Sequence, residues 1–163
     1  MLPRMPFWRL PPRNCPLDPE FYETAGQPVF LTVRCSGDRN PFVTPALNSE
    51  VVGALLRERR RSRCSLYAYC LMPNHLHILV APRRDGASVL DMLRRYKGTS
   101  TRIAWRFGIT GRLWQPRYYD RVVRRGEAVE QVADYILYNP VRRGLVLEPE
   151  DYRWSDLLGP IPW

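Results

Sequence analysis

Runs of apolar and polar residues along the chain mark seven elements before any chemistry is considered. VFLTVRC (29–35) is short and β-branched, is followed by the turn-rich SGDRNPF, and reads as a strand. Val51, Val52, Leu55 and Leu56 recur at helical spacing, which predicts a helix capped by Asn48 and ending in the basic run RERRRSR. SLYAYCLM (65–72) and HLHILVAP (75–82) flank the turn pair Pro73-Asn74, so 65–82 reads as a β-hairpin. A second helix from about Ser88 to Phe107 turns Val89, Leu90, Leu93, Tyr96, Ile103 and Ala104 inward. RLWQPRYYDRVVR (112–124) predicts a fourth strand, and GEAVEQVADYILYNP (126–140) a third helix stopped by Pro140. The tail beyond it shows little periodicity.

The order β-α-β-β-α-β, then one more helix, predicts an α+β fold of the split β-α-β, ferredoxin-like kind. An antiparallel sheet would carry helices on one face and leave the other face or its rim for a ligand. Seven of the sixteen prolines fall in residues 1–28, which excludes an internal helix or strand there and predicts an extended arm. Residues 29–156 then form one domain and 157–163 a tail. A chain of 163 residues can bury a core without disulfide staples.

Charge narrows the function. Twenty-five Lys+Arg face 16 Asp+Glu, for a net charge of +9, and every basic residue except Lys97 is arginine. Arginine's planar fork suits phosphate oxygens and stacks on bases, so the balance points to nucleic acid more than to a small neutral substrate. The four cysteines, at 15, 35, 64 and 70, show no CxxC spacing, and no window is long and apolar enough to span a membrane. A reducing cytoplasmic setting, close to the nucleoid, is the expectation.

Both histidines of the chain, His75 and His77, lie in HLHILVAP. Strand residues two apart point to one side, with backbones about 7 Å apart. The imidazoles therefore project together, while Leu76 and Ile78 face the helices. Such a pair either holds one divalent cation or consists of half-buried histidines satisfied by neighbours. A hard cation needs oxygen as well. In the third helix Val129, Val132, Ala133, Ile136 and Leu137 form an apolar stripe. Tyr135 and Asn139, four apart, share a flanking face. That flank offers a phenol and an amide, or it is an ordinary amphipathic flank with Asn139 capping the helix end.

PNHLHILV, WQPRYYDRVVR, DYILYNPVRRGLV and DYRWS, in this order and spacing, resemble the IS200-like tyrosine transposases, and most of all their branch associated with repeated extragenic palindromes (REP). The resemblance spans about residues 29–156. It implies a single-tyrosine endonuclease with a histidine-hydrophobic-histidine motif on a ferredoxin-like fold. It places the metal ligands at His75, His77 and Asn139, the last usually glutamine in insertion-sequence relatives, and the nucleophile at Tyr135. It further implies Mg²⁺ or Mn²⁺ as cofactor and single-stranded or hairpin DNA as partner. The activity implied is cleavage and rejoining through a 5′-phosphotyrosine link, by a monomer or homodimer. The proline-rich arm departs from the shorter basic lead of the REP branch.

Arg94, Arg95, Arg117, Arg121, Arg124, Arg142 and Arg143 are candidates for phosphate contact, and Trp114, Tyr118 and Tyr119 for base stacking, with Trp114 better suited to the core. Tyr118 and Tyr119 alternate, so they should face opposite ways, and either is the second choice as nucleophile. Three other readings compete. A catalytically dead, domesticated transposase would bind DNA only. An RNA-binding sheet would want aromatic stretches that HLHILVAP lacks. A two-histidine-one-carboxylate iron site would draw on Asp120 or Glu127.

Overall fold

The computed structural model describes residues 17–84, 86–123 and 129–160. Five strands form one antiparallel sheet: β1 (Val29–Arg34), β2 (Cys64–Met72), β3 (His75–Pro82), β4 (Tyr119–Val122) and β5 (Ser155–Leu157), in the spatial order β4-β1-β3-β2-β5. The first four reproduce the ferredoxin-like arrangement predicted from the element order. β5 extends it along β2 through the pairs Ala68↔Leu157 and Cys70↔Ser155.

Helices α1 (Pro45–Arg61) and α2 (Val89–Arg106) cover one face. Their apolar sides pack on Leu31, Val33, Leu66, Leu71, Leu76, Ile78 and Val80, all at most 1 % exposed. The capping expectation for α1 is corrected. The helix opens at Pro45 after Thr44, and Asn48 lies inside it, buried, donating from its amide to the Phe42 carbonyl. Proline suits a first helical position because the missing N–H would have no partner there. α2 starts where expected: the Ser88 hydroxyl accepts from the Asp91 backbone N–H as an N-cap.

Helix α3 (Val129–Leu137) packs on the opposite face, where Val129, Val132, Ala133 and Ile136 meet Phe30, Ala68, Cys70, Met72 and Leu79. Pro140 does not stop this helix. The chain turns at Tyr138 and continues as α4 (Asn139–Arg142), with Pro140 near its start.

The fourth strand is shorter than predicted. Cys35 bridges Trp114, the chain departs at Pro116, and pairing resumes with Thr32↔Tyr119. Proline cannot donate to the ladder, so the strand is broken there. Trp114 is core, 2 % exposed, with its indole N–H on the Ser100 hydroxyl at 2.8 Å.

Of the N-terminal arm, residues 1–16 lie outside the described residues. Leu17 and Tyr22 are buried, and the Tyr22 hydroxyl donates to the Asp120 carboxylate beneath β4, so the folded body includes this part of the arm. Among the described residues no helix is long and apolar enough to cross a membrane. Cys35, Cys64 and Cys70 are buried free thiols.

Candidate active site

The site begins with a fault in β2. Alternation puts Cys64 and Leu66 toward α1 and α2, yet Ala68, Cys70 and Met72 face α3. The register against β3 shifts between Leu66 and Ala68, a bulge that inserts one residue and turns the rest of the strand over. Beyond it Cys70 pairs with His77 and Met72 with His75, while on the other side β1 sets Thr32 against His77 and Arg34 against His75. Leu76 and Ile78 point the other way, as the period of two requires.

Both imidazoles are buried, His75 at 9 % and His77 at 4 % exposure. Their Nε2 atoms lie 3.0 Å apart and their ring centroids 4.5 Å apart. The outer nitrogens are held from behind: His75 Nδ1 by Asn74 Oδ1 at 2.6 Å, and His77 Nδ1 by Thr32 Oγ1 at 2.8 Å. A carboxamide oxygen only accepts, so His75 Nδ1 carries the proton and its Nε2 presents a lone pair. The Thr32 hydroxyl can donate or accept, so His77 has two tautomers open to it. In one, His77 Nε2–H donates to His75 and Thr32 donates to Nδ1. In the other, Thr32 accepts from Nδ1–H and both Nε2 lone pairs converge.

Burial above all, with the positive charges of Arg34 and Arg143, pushes His75 down to about 4. Burial likewise pushes His77 well below its ordinary value, followed by His75, Arg142, Arg34 and Arg143. Both rings are therefore neutral near pH 7, which is the ligating form.

The spacing of the two nitrogens suits a shared divalent cation. Two nitrogens at adjacent corners of an octahedron with bonds of about 2.1 Å are about 3 Å apart, close to the observed Nε2 separation. The shortfall is oxygen. No cluster of three or more His, Cys, Asp or Glu able to hold a metal occurs among the described residues. Asp120, the carboxylate of the iron alternative, is buried under β4 with Tyr22 and Leu17, and Glu127 lies outside the described residues. Asn139 opens α4 at 5 % exposure, and among the described residues no hydrogen bond holds its carboxamide.

Tyr135 reaches the pair from α3. Its ring centroid is 6.0 Å from that of His77 and 5.9 Å from that of Phe30, edge-on to the latter, while Phe30 stacks on His77 at 5.4 Å. Arg142 covers the Tyr135 ring, its guanidinium carbon 4.1 Å from the centroid.

The remaining candidates scatter. Tyr118 packs toward the helical core and Tyr119 toward the α3 face, edge-on to Phe30, so the pair does alternate. Arg94 pairs with Asp91 at 2.9 Å, and Arg95 with buried Glu58 at 3.0 Å, both on α2 and across the sheet from the histidines. Arg117 is exposed before β4, Arg121 is half-buried within it, and Arg124 lies outside the described residues. Arg142 and Arg143 both bear on the histidine pair. Thr32, Asn74, Phe30 and Arg34 were not singled out from the sequence. Asn74 adjoins the motif and was legible as a possible support, but the other three come from β1 and need the strand register.

An antiparallel ferredoxin-like sheet with this histidine pair and a facing tyrosine defines a recognisable class. Residues 30–139 match the family described as Transposase IS200 like, and the chain belongs to that family. It is 25 % identical over 150 residues to the REP-associated tyrosine transposase of Escherichia coli K12, covering 87 % of each chain. It is 23 % identical over 148 residues to the putative REP-associated tyrosine transposase of Haemophilus influenzae Rd, covering 81 % of this chain and 80 % of that one. A solved structure of a REP-associated tyrosine transposase bound to a REP hairpin aligns with a TM-score of 0.70 at 25 % identity, over 87 % of both chains.

Proposed function

We propose that this transposase cleaves and rejoins single-stranded DNA beside hairpin sequences, with Tyr135 as nucleophile and a Mg²⁺ or Mn²⁺ ion held by His75, His77 and Asn139. The observation that carries the reading is the placement of Tyr135 beside His77 within one chain, so a single copy contains every proposed group. The solved REP-associated relative is bound to a REP hairpin, which supports hairpin DNA as the substrate.

In this reading Tyr135 Oη attacks the scissile phosphorus in line with the 3′ oxygen. The bond from phosphorus to Oη forms, the bond from phosphorus to O3′ breaks, and the phenolic proton ends on the released 3′-hydroxyl. The DNA 5′ end stays on the enzyme as a phosphotyrosine diester. The ester keeps the bond energy, so attack by a 3′-hydroxyl can rejoin the strand. A bound divalent cation supplies charge neutralisation at the phosphate. The chain's own groups do the rest. Neutral His75 and His77 offer lone pairs in a fixed direction, and Phe30 and His77 wall one side of the phenol. Arg34, Arg142 and Arg143 make the surroundings positive. That field opposes a bare dication and favours one that arrives with phosphate, so cation and DNA should bind together more tightly than either alone.

The test is incubation with a labelled single-stranded hairpin oligonucleotide and Mn²⁺. Wild type should give a nick and a protein–DNA adduct that survives denaturant, and Tyr135→Phe should lose both while still binding the hairpin. Normal cleavage by Tyr135→Phe, with loss in Tyr118→Phe or Tyr119→Phe, would overturn the assignment. A wild-type protein that binds hairpins and never forms an adduct would be the domesticated binding module instead.

A further inference from the structure

We infer that Arg142 is a positioning residue for the Tyr135 nucleophile: it clamps the phenol against the histidine pair rather than serving chiefly to hold DNA. The inference rests on the reading of Tyr135 given above and extends it to a residue for which charge alone suggested only phosphate contact.

Three observations carry it. First, the guanidinium lies over the face of the Tyr135 ring at 4.1 Å, within cation–π range. Second, Arg142 Nη2 donates to the Tyr135 backbone carbonyl at 2.6 Å, so one side chain grips both ends of the same residue. Third, the backbone explains how residue 142 gets there. α3 does not end at Pro140 but passes through Tyr138 into α4, with Tyr138 N–H on the Asp134 carbonyl and Arg142 N–H on that of Tyr138. Seven residues are close to two helical turns, so Arg142 falls on the face that carries Tyr135 and Asn139. Tyr135 lies in the last turn of α3, where backbone carbonyls run out of helical donors. An arginine reaching back to a carbonyl in the last turns is one established remedy.

The half-buried ring is thereby held from two sides. Phe30 and His77 present themselves on the sheet side, and Arg142 covers a face. A free tyrosine on a helix flank samples several rotamers, whereas this ring is held beside His77, with Phe30 at its edge and Arg142 over its face. Arg143 is the internal contrast. It also bears on the histidines, yet no contact with the Tyr135 ring or carbonyl is seen for it among the described residues.

The experiment compares the full chain with Arg142→Ala, Arg142→Gln and Arg142→Lys on the labelled hairpin oligonucleotide with Mn²⁺, measuring hairpin affinity and single-turnover adduct formation separately. A misplaced nucleophile costs about 100-fold, so Arg142→Ala should slow adduct formation by about that factor while hairpin affinity falls far less, by the loss of one charge from the field. Millimolar free guanidinium should restore part of the rate to Arg142→Ala. Arg142→Lys, which keeps charge without the flat face, should recover less than guanidinium does. If Arg142→Ala does not fold, Arg142→Gln, which keeps a donor and a stem, carries the same comparison. A loss of affinity that accounts for the loss of rate, an unchanged rate, or full recovery in Arg142→Lys each overturns the clamp. Tyr135→Phe is run alongside. An adduct from that variant refutes the nucleophile itself, a failure distinct from that of the clamp.

Discussion

The two faces of the sheet obey different rules, and adjacent residues on β3 show it. Leu76 and Ile78 meet α1 and α2 through a surface built mainly of aliphatic and aromatic side chains. His75 and His77 meet α3 through a surface that mixes Phe30, Cys70 and Met72 with Thr32 and two imidazoles. The first face supplies stability by removing hydrocarbon from water. The second accepts a cost, because two buried rings are held neutral beside arginines and the phenol of Tyr135 is fixed by contacts that few other side chains could make. Burial is nearly equal on both faces, so burial alone would not tell the core from the site. Hydrogen bonds to the outer ring nitrogens do tell them apart.

Substitutions on the two faces should therefore fail differently. The largest effect is expected for His77→Ala. Losing one of the two nitrogen ligands proposed above should remove a cation contribution of several kcal/mol, and adduct formation with Mn²⁺ should fall by about a thousandfold or more. The thermal midpoint of this variant should stay near or above wild type, because a costly buried ring is gone. Its neighbour Ile78→Ala should do the reverse. Truncating a fully buried aliphatic side chain costs about 2–5 kcal/mol, read as a lower urea midpoint, with single-turnover cleavage per folded molecule largely kept. If both variants lose stability equally and neither loses chemistry selectively, the division between the faces is wrong.

Much of this division is visible in the sequence, and the limits have physical causes. HLHILVAP reads as a strand, so a common direction for His75 and His77 follows from the strand period alone. Helices α1 and α2 are long enough for the 3.6-residue period to show. The bulge at Leu66–Ala68 is not legible, because an extra residue between two apolar runs leaves no mark until the partner strand is known. β5 escaped for a related reason: three residues pair at a sheet edge through their backbone, and no side-chain period needs to accompany that. The run on to α4 was missed because proline usually ends a helix. Here Pro140 begins the next turn and brings Arg142 over Tyr135. The break around Pro116, between Trp114 and Tyr119, cut the fourth strand for the opposite reason, a missing donor where a ladder bond was wanted.

A smaller effect should appear on lowering the pH. His75 binds a proton near 6.5 when unfolded and only at about 4 when folded, because burial and the charges of Arg34 and Arg143 resist it. Between those values the unfolded chain takes up protons that the native site refuses, so stability is full above about pH 6.5 and declines toward pH 4. His77 is shifted in the same direction and adds to the trend. For His75 alone the ceiling is about 3 kcal/mol, from 1.36 kcal/mol per pKa unit. Urea unfolding of the cation-free protein at pH 7, 5.5 and 4.5 should show a falling midpoint, and His75→Gln should flatten part of that slope. A midpoint that rises on acidification would mean that the imidazoles gain a stabilising partner when charged, contrary to this account of the site.

The finest test bears on Thr32. Its hydroxyl sits 2.8 Å from His77 Nδ1 and can serve either tautomer of that ring. With a cation on Nε2, the proton must reside on Nδ1, and Thr32 must accept it. Thr32→Val keeps the β-branched shape that suits a central strand but cannot accept. The cation-free site escapes most of the damage, because His77 can leave Nδ1 bare and donate from Nε2 to His75. The loaded site does not escape, because a buried N–H without an acceptor costs about 1–3 kcal/mol. Thr32→Val should therefore melt close to wild type yet bind Mn²⁺ about 10–100-fold more weakly in the presence of hairpin DNA, as titration calorimetry would register. Thr32→Ser, which restores the oxygen at the expense of a methyl group, should regain most of that affinity. If Thr32→Val binds Mn²⁺ as tightly as wild type, the cation does not take its lone pair from His77 Nε2, and the α3 face holds its histidines for some other purpose.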